Sequence, residues 1–194
     1  MASVGPGGVI FRQGDPIPVA LVVQGYAAQR RTTWSGRELV LGIVKPGDLL
    51  GEGIAGQPAS ADLVTITPVV VGLWSGADVR KVVVTDPGLA IALIDGMGRQ
   101  IAAISERTDG LVHQDARGRV LRVLTEYRDL FFGEPPVLPR TLLPALVGTS
   151  REMTGRVIRG LEREGMIARI GRRGLRLLSA ARLEEAADPA ERAS

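Results

Sequence analysis

The chain has 194 residues, enough for one or two domains with a real core, and its 45% hydrophobic and 23% charged composition is ordinary for a soluble globular protein. It contains no cysteine, which excludes disulfides, a zinc–thiolate site and a cysteine-held iron–sulfur cluster. The net charge is only +3, but from Leu138 to Arg182 ten arginines face just Glu152, Glu162 and Glu164, so the basic charge is concentrated as a nucleic-acid binder requires.

No stretch approaches ~20 uninterrupted apolar residues, and the start of the chain lacks a basic-then-apolar export signal. A cytoplasmic protein with no membrane partner is expected. Four segments are predicted: a strand-rich domain at 1–86, a long helix and hinge at 87–134, a helix-turn-helix with a hairpin at 135–183, and a polar, frayed tail at 184–194.

In the first segment the apolar runs VIF, VALVV, ELVLGIV and DLVTITPVVVGLW are broken by GDP, QG, SG and PGD. Short strands separated by Gly/Pro turns predict an all-β barrel or roll. Trp34 and Trp74 are read as core or rim aromatics. Asp86-Pro87 then opens a helix in which Ala90, Ile94, Met97, Ile101, Ile104, Thr108 and Leu111 alternate steps of four and three. That is a coiled-coil seam of about three heptads. The competing reading packs the helix on its own roll; Ile91 and Leu93, off the seam, can serve that contact and leave the seam to face a second subunit. His113, the only histidine, is given no role.

Ala116–Leu130 predicts another helix, and FFGEPPVLP a proline-rich joint. Thr141–Val147 is a short apolar segment with Pro144 in its first turn, where a missing N–H does little harm. Gly148 supplies a tight turn. The stretch TSREMTGRVIRGLERE (149–164) follows as a helix capped by Thr149 or Ser150. On a wheel of 100° per residue Met153, Thr154, Val157, Ile158 and Leu161 form an apolar stripe, opposite Arg151, Glu152, Gly155, Arg156, Arg159 and Arg163. Arginine's planar fork suits guanine O6 and N7, and glutamate accepts from the cytosine amino group. The plainer alternative is a solvated face, with Thr149 and Glu152 forming a capping box that turns the carboxylate inward. Gly165 ends this helix, and MIARI, GRRG and LRLLS predict a hairpin tipped by Arg172 and Arg173. Helix, turn, helix, basic hairpin is the order of a winged helix-turn-helix.

The stretch VGTSREMTGRVIRGLEREGMI resembles the reading-helix motif of the Crp/Fnr transcription factors. ISER and DARGRV are similar to that family's dimer helix and hinge, and VIFRQGD, LVVQG and IVKPGDLLGE resemble its cyclic-nucleotide-binding β-roll. The resemblance implies an α+β chain: an N-terminal antiparallel β-roll, a long dimerisation helix and a C-terminal winged helix-turn-helix. The chain opens close to its first strand, leaving the leading helix usual in that fold short or absent. The implied function is dimeric, sequence-specific regulation of transcription on palindromic double-stranded DNA, with half-sites like TGTGA. Arg151 and Arg156 would read guanines, Glu152 a cytosine, and Ser150, beside Thr149 at the helix start, a phosphate. Arg159, Arg172 and Arg173 would hold phosphates. RNA polymerase is a partner the resemblance admits.

The resemblance weakens at the effector pocket. The family's cassette begins Gly-Glu and ends Arg-Ser-Ala or Arg-Thr-Ala. Gly51–Glu52 and Ser60–Ala61 match its two ends, Ser105 matches a position that touches the nucleotide from the helix, and Ala59 stands where the arginine should be. No arginine occurs between Arg37 and Arg80, and Lys45 lies outside the cassette. Burying an anionic phosphate without a paired cation is costly. Control by cyclic AMP is therefore not expected, no cofactor is called for, and the effector is unnamed. An enzyme is not expected either: one histidine cannot supply a metal cluster, and no nucleophile–base pair or phosphate loop is present. The alternative function is a ligand-binding β-roll module that regulates a protein partner.

Overall fold

The computed structural model describes residues 1–187 except Ile17, Ser35 and Arg37, and leaves undescribed the side chains of Glu52, Glu106, Arg107, Asp109, Leu111 and Val112. The chain forms two compact units, Met1–Ser105 and Glu106–Ser194.

The first unit is a pair of four-stranded antiparallel sheets. Strands β1 (Ala2–Val4), β2 (Val9–Phe11), β3 (Val19–Gln24), β4 (Ala27–Thr32), β5 (Glu38–Val44), β6 (Leu49–Leu50), β7 (Asp62–Thr65) and β8 (Val69–Trp74) are ordered β1-β8-β3-β6 in one sheet and β2-β7-β4-β5 in the other. Side chains alternate between faces along each strand, and those facing inward, among them Phe11, Ala20, Val22, Leu50, Leu63, Val69 and Val71, form one apolar cluster. Each fully buried Val, Leu or Phe contributes roughly 1.5–3 kcal/mol. All four expected runs are strands. The longest divides at Ile66–Pro68, where Gly25 (φ +85°) comes so close that a Cβ on it would lie 2.0 Å from the Pro68 carbonyl oxygen. Strand β4, AAQRRT, has no apolar run to announce it; its pairing with β5 and β7 defines it.

One element of residues 1–86 departs from the expected all-β reading. Helix α1 (Gly76–Thr85) follows β8, opened by Ser75, whose Oγ accepts from the Asp78 N–H at 3.0 Å. Its β-branched run Val82–Val84 favours strands and masks it in the sequence. Both tryptophans are at the rim: Trp34 is fully exposed, and the Trp74 ring lies over Gly72, where a Cβ would meet it at 2.3 Å.

Helix α2 (Pro87–His113) starts at Asp86, whose Oδ1 accepts from the Gly88 and Leu89 N–H groups at 2.9 and 3.2 Å. The seam residues Ile94, Met97, Ile101 and Ile104 are exposed in this single copy, Ile101 by 65%. Leu93 is buried as expected of a residue packed on the roll, but Ile91 is 60% exposed. Two residues apart is about 200° of helix, so the two cannot share a face. Met97 leaves the strict seam pattern, its methyl lying against Gly51. No described helix is long and apolar enough to cross a membrane.

The second unit contains α3 (Ala116–Glu126), α4 (Arg128–Phe132), a 3-10 turn (Arg140–Leu142), α5 (Leu143–Val147), α6 (Arg151–Arg163), β9 (Ile167–Ile170), β10 (Gly174–Leu177) and α7 (Ala180–Ala187). The expected helix Ala116–Leu130 is interrupted at Tyr127. Asp115 caps α3, accepting from the Gly118 N–H at 2.7 Å. Leu121, Leu124, Phe131, Leu138, Leu143, Leu161, Ile167 and Leu183 are buried. The expected frayed tail does not begin at Glu184: that residue pairs with Arg128 at 2.7 Å, and α7, with Leu183 buried, runs to Ala187. Residues 188–194 lie outside the described residues.

Candidate nucleic-acid interface

The turn into α6 is made by Gly148, in the left-handed region at φ +69°. Ser150 is the cap, its Oγ accepting from the Met153 N–H at 3.1 Å; the Thr149 N–H instead closes α5 by donating to the Pro144 carbonyl at 3.1 Å. Thr154, Ile158 and Leu161 are buried, and the Thr154 hydroxyl donates back to the Ser150 carbonyl at 3.0 Å. Fixing this face inward turns Arg151, Glu152, Arg156, Arg159 and Arg163 to solvent. The capping-box alternative fails, because Glu152 receives Arg156 Nη2 at 3.1 Å on the outer face. Both partners of that pair are mostly exposed, so it is weak and readily exchanged for other hydrogen-bonding groups.

The hairpin β9–β10 pairs Ile167 with Leu177 and Ile170 with Gly174, leaving Arg172 and Arg173 exposed at the tip. Its position is set by a residue that sequence reasoning did not single out. Arg140 donates from its backbone N–H to the Arg173 carbonyl at 2.7 Å and from Nη2 to the Arg172 carbonyl at 2.6 Å. Nothing in the sequence distinguishes Arg140 from its basic neighbours. Glu162 links α6 to the hairpin by accepting from the backbone N–H and the Nε of Arg169, both at 2.9 Å. Burial pushes the Glu162 carboxyl up, but these bonds and the charges of Arg169 and Arg140 outweigh it and hold the group below its ordinary value.

The basic cluster therefore splits in two. Arg140, Arg169 and Arg182 direct donors at the protein's own carbonyl or carboxylate groups. Among the described residues no ion pair joins Arg151, Arg159, Arg172 or Arg173 to a carboxylate. A helix and a hairpin tip bearing such guanidinium groups can grip phosphates while the helix presents donors and one acceptor to base edges.

The effector-side residues are brought together only in part. Gly51 caps a 3-10 turn (Glu52–Ala55); the Glu52 side chain lies outside the described residues. Ser60 and Ser105 are exposed. Ala59 is buried in the apolar cluster of the roll, and its backbone is used in place, the N–H donating to the Asp15 carbonyl and the carbonyl accepting from Gly14, both at 2.9 Å. Arg30 does not stand in for a cassette arginine. It is in register with Asp62, and so on the face opposite the inward Leu63, and it pairs with Glu38 at 3.2 Å. Arg80, which no sequence motif marks, donates from Nη1 to the Ile54 carbonyl. Gly76 approaches so closely that a Cβ would lie 2.0 Å from the Gly53 carbonyl oxygen. Helix α1 thus holds this turn in place. No metal-holding cluster occurs among the described residues.

Comparison with known proteins agrees with this division. A cyclic nucleotide-binding domain model matches residues 2–86, and a Crp-like helix-turn-helix domain model matches residues 118–186. The cyclic AMP receptor protein of Thermus thermophilus is 30% identical over 181 residues, covering 92% of this chain and 83% of the relative. The cAMP-activated global transcriptional regulator CRP of Salmonella typhimurium is 28% identical over 160 residues, covering 78% and 76%. Among solved structures, a Crp/Fnr-family regulator of Thermus thermophilus superposes with a TM-score of 0.80 at 25% identity, covering 96% of this chain and 97% of that one. FixK2 of Bradyrhizobium japonicum superposes with a TM-score of 0.82 at 21% identity, covering 96% of each. With the capped, outward-facing α6 and its basic hairpin, the matched helix-turn-helix model and the curated relatives establish that the chain belongs to the Crp/Fnr family of DNA-binding transcription regulators.

Proposed function

We propose that the protein acts as a homodimer on palindromic double-stranded DNA, and that cyclic AMP does not set its affinity. Arg151 and Arg156 read guanines and Glu152 a cytosine, while Thr149, Ser150, Arg159, Arg172 and Arg173 contact phosphates. The observation that carries this reading is the orientation of α6: burial of Thr154, Ile158 and Leu161 leaves the three base readers together on the solvent side. The exposed stripe Ile94, Ile101 and Ile104 on α2 supports a dimer. Packed against a second copy it would pair two reading helices, as successive major grooves of a palindrome require. Independence from cyclic AMP is supported by Ala59. The family's phosphate-gripping arginine is matched by a small residue sealed in the core, and Arg30 faces away.

The test is selection of bound duplexes from a random pool by the purified protein, with no nucleotide added. The expected product is a palindrome with TGTGA-like half-sites centred about one helical turn, ~34 Å, apart. Enrichment of no sequence, or of single half-sites only, would contradict the proposal.

A further inference from the structure

The base readers can be accurate only if α6 is held still, and the second unit carries arginines that bond either to the residue closing that helix or to the segment leading into it. Arg117, in the first turn of α3, forms a two-pronged bond with Glu164, the residue that closes α6: Nη1 to Oε1 at 2.8 Å and Nη2 to Oε2 at 2.6 Å. Arg182 donates from Nη1 to the Glu164 carbonyl at 3.2 Å, capping the same end. Arg119 lies two residues after Arg117, about 200° around α3, and so reaches the other way. Its Nε donates to the carbonyl of Val147, the last residue of α5, at 3.2 Å, and its Nη1 to the Gln114 carbonyl at 2.8 Å. Opposite sides of one helical turn thus fix the segment that leads into α6 and the residue at which α6 ends. A cation at the C-terminal end of a helix is also favoured by the helix dipole.

We propose that Arg117 and Glu164 are a positioning pair for DNA reading. They touch no base in this scheme, but they set the pitch of α6 relative to α3, and with it the placement of Arg151, Glu152 and Arg156, which a specific site must hold to within about 0.5 Å. The inference rests on the base-reading roles proposed above. Neither residue belongs to the reading face. Glu164 lies beyond the last turn of α6, and an open groove of about 690 Å³ lined by Asp115, Arg117, Glu164, Met166, Arg182 and Glu185 lies beside it. Each partner of the pair is about 40% exposed, so the expected effects are several-fold rather than orders of magnitude.

Charge alone and positioning make opposite predictions for one variant. Glu164→Ala removes a negative charge from a DNA-binding unit, and by electrostatics it should tighten every duplex. As a positioning residue its loss should instead blur the distinction between right and wrong sequences. Affinities for the selected duplex and for a scrambled duplex of equal length are measured for the wild type, Arg117→Ala, Glu164→Ala, Glu164→Gln and the exchange Arg117→Glu with Glu164→Arg. Thermal melting identifies the variants that remain folded, and Glu164→Gln, nearly isosteric, carries the test if the alanine variants melt early. Both single losses should lower the specific-to-scrambled ratio by about three- to fivefold although they change net charge in opposite directions, and the exchange should recover most of it. A ratio unchanged in folded Glu164→Gln, or one that rises and falls with net charge, overturns the proposal. A wild type that does not discriminate at all refutes the base-reading roles instead, which keeps the two failures distinct.

Discussion

The two units use charge in opposite ways. In the roll, Ala59 is buried among Phe11, Leu63 and Val71, and the one described arginine contact near it, from Arg80, goes to the Ile54 carbonyl of the adjacent turn. In the DNA-binding unit the arginines are divided between an outward set, Arg151, Arg156, Arg159, Arg172 and Arg173, and an inward set, Arg117, Arg119, Arg140, Arg169 and Arg182, that bonds to the protein itself. The roll is held together by the apolar inner faces of its strands. In the proposed reading the DNA-binding unit uses both sets, since outward arginines without an inward frame would supply affinity but little sequence information.

The contrast can be broken most severely on α2. Ile101→Asp places a charge in the middle of the exposed stripe, where burial against a second copy would leave it unpaired. Light scattering should report monomers, and affinity for the full palindrome should fall by about 10²–10⁴, the gain lost when two linked half-site contacts become one. An unchanged mass would mean that the stripe does not hold a dimer together. Within the outward set, Arg156→Ala should cost roughly 1–3 kcal/mol on the selected duplex and relax preference at one base pair. Arg172→Ala should weaken all duplexes alike and reduce the salt slope by about one, as expected of a phosphate contact. Equal losses on every sequence for both substitutions would remove the distinction between readers and grips.

The smallest effect concerns the inward set. The bond from Arg117 holds the Glu164 carboxyl below its ordinary value, against a smaller opposing push from burial. A carboxylate whose folded value is depressed contributes stability above its unfolded value and loses it as pH falls through the folded one. The melting advantage of the wild type over Glu164→Gln should therefore be present at neutral pH and shrink under acid conditions, below the ordinary glutamate range. Its size should be under about 1 kcal/mol, since both partners are partly exposed. An advantage independent of pH would assign the stabilisation to packing.

What was legible in the sequence follows from the same physics. The reading helix was legible because its two faces repeat at 3.6 residues and its cap and closing glycine are chemically distinctive: Ser150, Gly148 and Gly165 all behave as expected. The strands VIF and ELVLGIV were legible as apolar runs, whereas β4 was not, because its polar residues Gln29, Arg30 and Arg31 are kept in the sheet by neighbours distant in sequence. Helix α1 was hidden by the run Val82–Val84. Ile91 cannot share the packed face of Leu93, because two residues are about 200° apart on a helix. The frame that orients the reading face was not legible at all. Arg117 and Glu164 are 47 positions apart, and Arg140 is one arginine among many until its donors are seen to end on the hairpin.

The central claim, that DNA reading here is separated from cyclic nucleotide, is tested most directly by titrating cyclic AMP against the purified protein in a calorimeter and repeating the measurement of selected-duplex affinity at saturating nucleotide. A ligand can shift a conformational equilibrium only by as much as its affinity differs between the two states. With Ala59 in the core and Arg30 paired with Glu38, no saturable heat and an unchanged duplex affinity are predicted. Micromolar binding accompanied by a matching gain in DNA affinity would contradict it.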